Sequence, residues 1–399
     1  GSSAKSSSSS SKTVDLKIAT WANTDESKQF NDIIKKINAS QKEYKITQMV
    51  IPNNYYDKVQ TMIAGNQAPD LFWLSQEYIP MYAKNNAIMD VTSMLNNQKK
   101  INMDDFYEGS LNTAKYQGKT YGVPFIGQPY MVYYNKDLFK KSGVSDPNDS
   151  WTWDDFHKVA QKLTTNGVYG LADPGVLPLQ VFMWDEGGQM IDKDKNVTLD
   201  SPECVKGLKV AYDLLNDTKA TMPYNQSNSL GSQQAFVDQK AAMVFGGAND
   251  GVEQAVKDAG GKFQVGMAMI PAGSKKQTTF NYCASTVISS QTKNKKAAED
   301  ALVALSDAMF NWKVPAPVKS KANEIGKVVP IKAYAVDEIK KSSAISQGNN
   351  NIPEQNEIGD IEWKNLDLII YTNNNGKGGV DVDALAKSVT QLMKDKIKK

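Results

Sequence analysis

The chain has 399 residues, with 46 basic against 44 acidic side chains and a formal net charge of +2 at pH 7. That length exceeds one ordinary hydrophobic core and sets two domains or lobes as the expectation, while lysines interleaved with acids leave no electrostatic footprint for nucleic acid. All 46 basic residues are lysine, so the bidentate guanidinium fork that commonly grips carboxylate or phosphate is absent, which favours an uncharged or cationic ligand, although lysine and helix N-termini can also hold anions.

The first twelve residues, GSSAKSSSSSSK, read as a Ser-rich flexible tether without a fold of its own. Val14 to Ala19 alternates and then reaches Thr20 and Trp21, which predicts a first strand with an aromatic at its carboxyl end. Phe30, Ile33, Ile34 and Ile37 recur at helical spacing, Tyr44 to Ile51 reads as a second strand, and Tyr55 to Ala64 as a helix stopped by Gly65. Leu71 to Leu74, after Pro69 and Asp70, is a third strand. This β-α-β-α-β order predicts parallel strands with right-handed crossovers.

Ligands of open parallel sheets sit beyond the carboxyl ends of the strands. The residues falling there are Trp21, Asn23 and Thr24, then Asn53 and Asn54, then Trp73, Gln76 and Glu77. A sugar offers an apolar C–H face and a girdle of hydroxyls, and so calls for a flat ring beneath it with amides or carboxylates around it. Core packing is the competing role for Trp21 and Trp73.

Between Tyr121 and Phe125 the chain is expected to leave its first lobe, since Gly122 absorbs backbone rotation and Pro124 forbids a helix. Tyr130 to Tyr134 reads as a strand. Asn135 follows as a helix cap, with Asp137 in the first turn, Lys140 and Lys141 in the last, and Gly143 just beyond. Thr152 and Asp155 have the spacing of a capping box, Trp151 and Phe156 that of a hydrophobic staple, and Phe156, Val159, Ala160 and Leu163 form one apolar stripe. The lone histidine, His157, is expected on the solvated side of that helix, and no second histidine supports zinc chemistry or a Ser-His-Asp relay.

Cys204 and Cys283 stand in no metal or redox spacing. They read as two buried free thiols, with a disulfide left open. Ala242 to Phe245 is a strand ending at Gly246 and Gly247, which allow close approach of backbone to a ligand, followed by Asn249 and Asp250 before a helix. A phosphate loop is the rival reading, but neither GxGxxG nor GxxxxGK[ST] is present. Lys293 to Met309 reads as a helix, a third crossing is expected between Val328 and Tyr334, and Asp383 to Lys396 forms a last helix. Asn349 to Asn351, and Asn373 to Asn375 with Gly376 to Gly379, are read as loops. No run has the length needed to cross a bilayer.

GKTYGVPF from Gly118, YYNKDLF from Tyr133 and SWTWDDF from Ser150 follow one another at close spacing, and QQAFVDQKAAMVFGGAND occupies Gln233 to Asp250. Together these segments resemble the extracellular solute-binding proteins, family 1 type, of bacterial sugar ABC transporters, in particular the Gram-positive oligosaccharide-binding lipoproteins. Asp238 and Gln239 stand where that family usually has glycine, and Tyr282 and Cys283 where it favours glycine and tryptophan.

The resemblance implies an α/β, periplasmic-binding-protein-like fold of type II: two doubly wound α/β lobes joined by three hinge crossings with a ligand cleft between them. Lobe 1 would be residues 13–123 plus 282–330 and lobe 2 residues 124–281 plus 331–399, with Val265 to Pro271 leading back toward lobe 1. As ligand contacts it adds Phe125 and Tyr130, then Trp184, Asp185 and Glu186 beside paired glycines, then Phe245, Gly247, Asn249 and Asp250, and at the second crossing Asn281 and Tyr282. The implied function is non-catalytic capture of a di- to tetrasaccharide by hinge closure and its delivery to a membrane permease. No cofactor, no metal and no nucleic-acid partner are implied, and a monomer is expected. The implied location is the cell surface, with the tether following a lipid-modified cysteine on the cytoplasmic membrane. That cysteine is not in this sequence, and Gly1 and Ser2 read equally as a cloning remnant.

Two other functions fit part of the pattern. A glycoside hydrolase would take its acid and base from Asp70, Glu77, Asp185 or Glu186, but needs two carboxyls roughly 5–9.5 Å apart, and nothing in the sequence pairs them. A polyamine carrier would box its ligand between Trp and Tyr faces with carboxylates at the ends.

Overall fold

β1 (Val14–Thr20) buries Leu16, Ile18, Ala19 and Thr20. Asn23 then caps α1 (Thr24–Ser40) in a capping box with Glu26, and Phe30, Ile34 and Ile37 form its buried stripe. β2 (Tyr44–Val50) is followed by a left-handed Asn54, with φ of 55°, that starts α2 (Tyr55–Ala64). β3 (Leu71–Ser75) is buried along its whole length. The computed structural model describes residues 12–397 and, for residues 374–376, the backbone alone. Apart from Lys12, the expected Ser-rich tether lies outside those residues.

β4 (Val123–Asn135) runs well beyond the short strand expected at 130–134, and its last residue caps α3 (Lys136–Lys141), Asn135 Oδ1 accepting from Leu138 N at 3.0 Å. In α4 (Trp153–Leu163) the Thr152–Asp155 capping box is formed, and the Trp151 ring meets Phe156 at 5.2 Å. β5 (Tyr169–Leu171), α5 (Gln180–Asp185), α6 (Pro202–Leu215), β6 (Ala241–Gly247), α7 (Val252–Asp258) and β7 (Val265–Ala268) follow. The chain continues through β8 (Thr279–Ile288) and α8 (Lys295–Met309), then α9 (Gln355–Glu362), a π-helical turn (Trp363–Asp367), α10 (Leu368–Gly376) and α11 (Val382–Ile397).

The chain divides into two compact units: residues up to Gly127 with Cys283–Glu324, and Gln128–Tyr282 with the residues from Ile325 onward. It therefore passes between them three times. The first two passages lie inside β4 and β8, and the third falls between Glu324 and Ile325, where the sequence pattern put it between Val328 and Tyr334.

In the first unit β1 pairs in parallel with β2, from Val14 with Tyr44 to Thr20 with Val50, and with β3 on its other side. β8 then runs antiparallel to β3, from Ala284 with Ser75 to Ile288 with Leu71. In the second unit β4 pairs antiparallel with β6, Tyr130 with Gly247 through Tyr134 with Met243, and β5 pairs in parallel with β6. β7 lies antiparallel to β4. The core of this unit joins Phe156, Phe182, Trp184 and Phe245 to Leu208, Ile358, Ile370 and Met393.

The asparagines at 373–375 were expected in a loop, and the backbone there is helical, since α10 extends to Gly376. Ile370 and Tyr371 are buried, α10 packs on α6, and Asn216 Nδ2 donates to Ile370 O at 2.7 Å. This packing carries the helix through residues of poor intrinsic propensity.

Candidate functional site

Each unit gathers expected ligand contacts at the carboxyl ends of its strands. In the first, Trp21 follows β1 and is half-buried. Its ring lies edge-on to Tyr55 at 5.2 Å and to Trp73 at 5.3 Å, and tilted against Tyr56 at 6.4 Å and Phe125 at 6.5 Å. Edge-to-face geometry of this kind is the favourable one for aromatic pairs. Tyr55 Oη donates to Trp73 O at 2.7 Å and Ala19 O at 3.1 Å, tying α2 to the ends of β1 and β3. Tyr56 stacks on Tyr78 with ring centres 3.7 Å apart and accepts from Ser75 N at 3.1 Å. Both Tyr56 and Tyr78 are half-buried.

Trp73 is fully buried, enclosed by Trp21, Phe30, Phe125 and Trp312. Its position beneath Trp21 makes it the foundation of the aromatic face and leaves it no surface of its own. Phe125 is likewise buried. Gln76 is buried with its Oε1 accepting from Cys283 N at 2.5 Å, so its amide serves β3 and β8. Asn23 is exposed but occupied by its cap, Oδ1 accepting from Glu26 N at 2.9 Å. Thr24 and Asn53 are exposed, and Glu77 is half-buried with Oε2 accepting from Ser75 Oγ at 2.6 Å. The first unit thus brings Trp21, Tyr56 and Tyr78 together as partly open rings beside Glu77.

In the second unit, β6 ends at Gly246 and Gly247. A Cβ on Gly247 would meet Gln128 Cδ at 2.6 Å, and one on Gly246 would meet Asp250 Oδ2 at 2.9 Å, so a side chain at either position would displace the group that holds the loop. The loop that follows is pinned: Gly247 N donates to Asp250 Oδ2 at 2.8 Å and Asn249 N to Gln128 Oε1 at 2.7 Å. Asn249 and Asp250 are half-buried. Burial raises the Asp250 carboxyl above its ordinary range despite that bond and the charge on Lys332. Tyr130 is half-buried against Phe280, with ring centres at 5.6 Å. Burial, then the charges of Asp250 and Asp173, raise its phenol.

Asp173 accepts from Val176 N at 2.7 Å and Gly175 N at 3.2 Å. Gly175 adopts a φ of +107°, and a Cβ there would lie 3.2 Å from the ring of Trp363. Trp363, 40% exposed on the π-helical turn, is the open indole of this unit. The same Cβ on Gly175 would lie 3.4 Å from the ring of Tyr371, whose Oη donates to Leu177 O at 2.9 Å.

Several expected contacts serve the interior of the second unit. Trp184 is 1% exposed, parallel to Phe280 at 6.3 Å. Phe245 is buried against Phe156 at 5.6 Å and Trp153 at 6.0 Å. The Asp185 carboxylate accepts from Trp153 Nε1 at 2.9 Å and from Thr278 N and Oγ1 at 2.9 and 2.7 Å. Glu186 is buried, bonded to Ser274 Oγ and 3.3 Å from Lys206 Nζ. Asn281 is buried and Tyr282 half-buried. In the first unit, Asp70 accepts from Lys17 N at 2.9 Å and Thr292 Oγ1 at 2.7 Å. All four carboxylates offered for hydrolysis, Asp70, Glu77, Asp185 and Glu186, are therefore engaged in bonds within the protein. Cys204 and Cys283 are free and buried, their thiols pushed up to about 11 and about 12 by burial. His157 is half-buried, with Nε2 at 2.8 Å from Asp217 Oδ2.

Tyr56, Tyr78, Gln128 and Trp363 escaped the sequence reading. A tryptophan flanked by Glu362, Lys364 and Asn365 is a usable sign of an exposed ring, and Tyr56 comes two residues after the asparagines that follow β2. Nothing short of the fold aims Gln128 at the glycine loop.

Burial also pushes the Asp173 carboxyl up to about 7, from an ordinary 3.8. The folded chain then holds a proton that the unfolded chain releases earlier. Its contribution to stability is fully present below pH 3.8, falls as the pH rises, and levels off above about 7. Asp173→Asn is expected to flatten this fall by on the order of 4 kcal/mol across that window, read as the difference between wild-type and variant urea unfolding at pH 4 and pH 8. Parallel wild-type and variant curves would contradict the assignment.

The sequence profile of the bacterial extracellular solute-binding proteins matches residues 21–312. The galactooligosaccharide-binding protein of Bacillus subtilis is 24% identical over 395 residues, 94% of this chain and 88% of its own length. A relative in Brucella abortus is 24% identical over 278 residues, 67% of this chain, and the match spans 66% of that relative's length. Among solved structures, an ABC substrate-binding protein of Listeria monocytogenes in complex with cycloalternan superposes with a TM-score of 0.76. It is 22% identical, and the superposition covers 97% of this chain and 99% of that one. This likeness shows the fold, that of the type II periplasmic-binding proteins.

Proposed function

The chain belongs to the family of bacterial extracellular solute-binding proteins, and on that premise we propose that it is the solute-binding component of an ABC importer for a di- to tetrasaccharide. The ligand is captured by hinge closure of the two units and handed to a membrane permease. A lipid anchor upstream of residue 1 holds the protein at the outer face of the cytoplasmic membrane. No bond is made or broken in the ligand. The observation that carries this reading is the supply of partly open rings, Trp21, Tyr56 and Tyr78 in one unit, Trp363 and Tyr130 in the other. Such rings bury the C–H face of a pyranose while amides and carboxylates take its hydroxyls. The galactooligosaccharide-binding relative and the cycloalternan-bound structural neighbour support the ligand class.

Closure follows from differential affinity, because a ligand shifts an open–closed equilibrium only by binding the closed form more tightly. The side chains of Asn249 and Asp250 are assigned to ligand hydroxyls, with Glu77, Asn53 and Thr24 on the first unit. A thermal-shift screen against malto-, fructo- and galacto-oligosaccharides and spermidine tests the reading, since a ligand of the folded form raises apparent stability. A rise with at least one oligosaccharide is expected. A rise with spermidine and none with any sugar would replace this reading by a cation carrier.

A further inference from the structure

The glycine loop after β6 is held from beneath by a side chain that the sequence pattern does not single out. Lys332, 1% exposed, lies in a 3-10 turn at Pro330–Ala335, in the segment that follows the third passage of the chain. Its Nζ is 2.7 Å from Glu253 Oε1, donates to Tyr133 Oη at 2.8 Å, and donates to Asp250 O at 2.7 Å. Two hydrogen bonds and one ion pair thus surround the ammonium. Tyr133 Oη passes the contact on, donating to Gly247 O at 2.6 Å, while Asp250 Oδ2 receives Gly247 N at 2.8 Å. Gly247 is therefore gripped at both its carbonyl and its amide. Tyr334 Oη completes the set by donating to Glu253 Oε2 at 2.9 Å.

A buried ion pair of this kind is weak grounds for stability, because apolar residues of the same volume do as well or better. Its value lies in fixing one geometry. Burial lowers the Lys332 ammonium, and the charge of Glu253 and its bond to the lysine oppose that shift. Burial with the neighbouring carboxylates raises the Tyr133 phenol, which keeps it a donor.

We propose that Lys332 is a positioning residue for ligand binding, setting through Tyr133 and the Asp250 carbonyl the shape in which Gly247 to Asp250 meets the solute. The inference rests on the proposed function for its ligand and on geometry alone for the loop.

Amide hydrogen exchange in the ligand-free chain reads the loop directly, and titration with whichever oligosaccharide stabilises the wild type reads the consequence. Two variants are compared. Lys332→Met with Glu253→Gln removes both charges and keeps an acceptor for Tyr334. Tyr133→Phe keeps the ring and the ion pair while deleting the bond to Gly247 O. Both are expected to raise exchange at Gly247, Asn249 and Asp250 and to weaken binding about tenfold, the equivalent of one hydrogen bond, with exchange in α4 unchanged. General loosening would instead raise exchange in α4 and lower the melting temperature in proportion, and would overturn the proposal. Wild-type exchange in the loop of Tyr133→Phe would overturn it as well, even if the double variant fails to fold. Faster loop exchange with unaltered affinity would refute the role in binding. A wild type that binds no oligosaccharide would defeat the functional reading, while the exchange measurements would still decide whether Lys332 sets the loop.

Discussion

Trp73→Ala is expected to destabilise the first unit by about 3–5 kcal/mol, the cost of a large cavity in a closed aromatic core. The indole is fully buried and packed by Trp21, Phe30, Phe125 and Trp312 at ring separations of 4.9 to 6.4 Å. Removing it takes the support from under Trp21 and from the wall formed by β3. Ligand affinity is expected to fall with it, because Trp21 then loses its fixed orientation. Chemical denaturation followed by tryptophan fluorescence measures the stability change. A loss of affinity with stability unaltered would contradict the placement of Trp73 in the core and return it to the ligand surface.

Trp363→Ala is expected to do the opposite, weakening oligosaccharide binding about 10- to 30-fold, or roughly 1.5–2 kcal/mol for the apolar sugar face left uncovered. Stability should change by under about 1 kcal/mol, since the indole is 40% exposed and projects from a π-helical turn. Isolated π turns of this kind recur at functional sites. Its fixed neighbours are Gly175, whose missing side chain admits the ring, and Tyr371, held by its bond to Leu177 O. Equilibrium titration against the wild type measures the effect. Unchanged affinity in a folded variant would remove Trp363 from the site.

The two tryptophans mark the limit of what the sequence discloses. Hydrophobic periodicity and caps gave the elements, because those signals are local: the Thr152–Asp155 box, the Asn135 cap and the Gly65 stop all appear where their spacing put them. The parallel order of β1, β2 and β3 follows from the helices between them. Which ring of a strand-end pair is open and which is buried is not local. Trp21 and Trp73 occupy equivalent places in the pattern, and only Phe30, Phe125 and Trp312, brought from distant parts of the chain, decide that Trp73 lies beneath.

Asp185 and Glu186 show the same limit. Carboxylates next to paired glycines suit a ligand as well as they suit Thr278, Trp153 and Ser274, which are far away in sequence. Lys332 carries no local signal, since a lysine after Pro330-Ile331 reads as solvated until Glu253 and Tyr133 surround it. The helical course of residues 373–375 was likewise concealed, because packing of α10 on α6 outweighs the turn preference of asparagine.

Calorimetric titration of the purified chain with di-, tri- and tetrasaccharides of several linkages, followed by chromatographic recovery of the sugar, separates a sugar carrier from an enzyme and from a cation carrier. Saturable binding of one oligosaccharide per chain is expected, with recovery of that sugar at its original length. Binding of spermidine with no heat from any sugar, or recovery of shortened products, would contradict non-catalytic sugar capture.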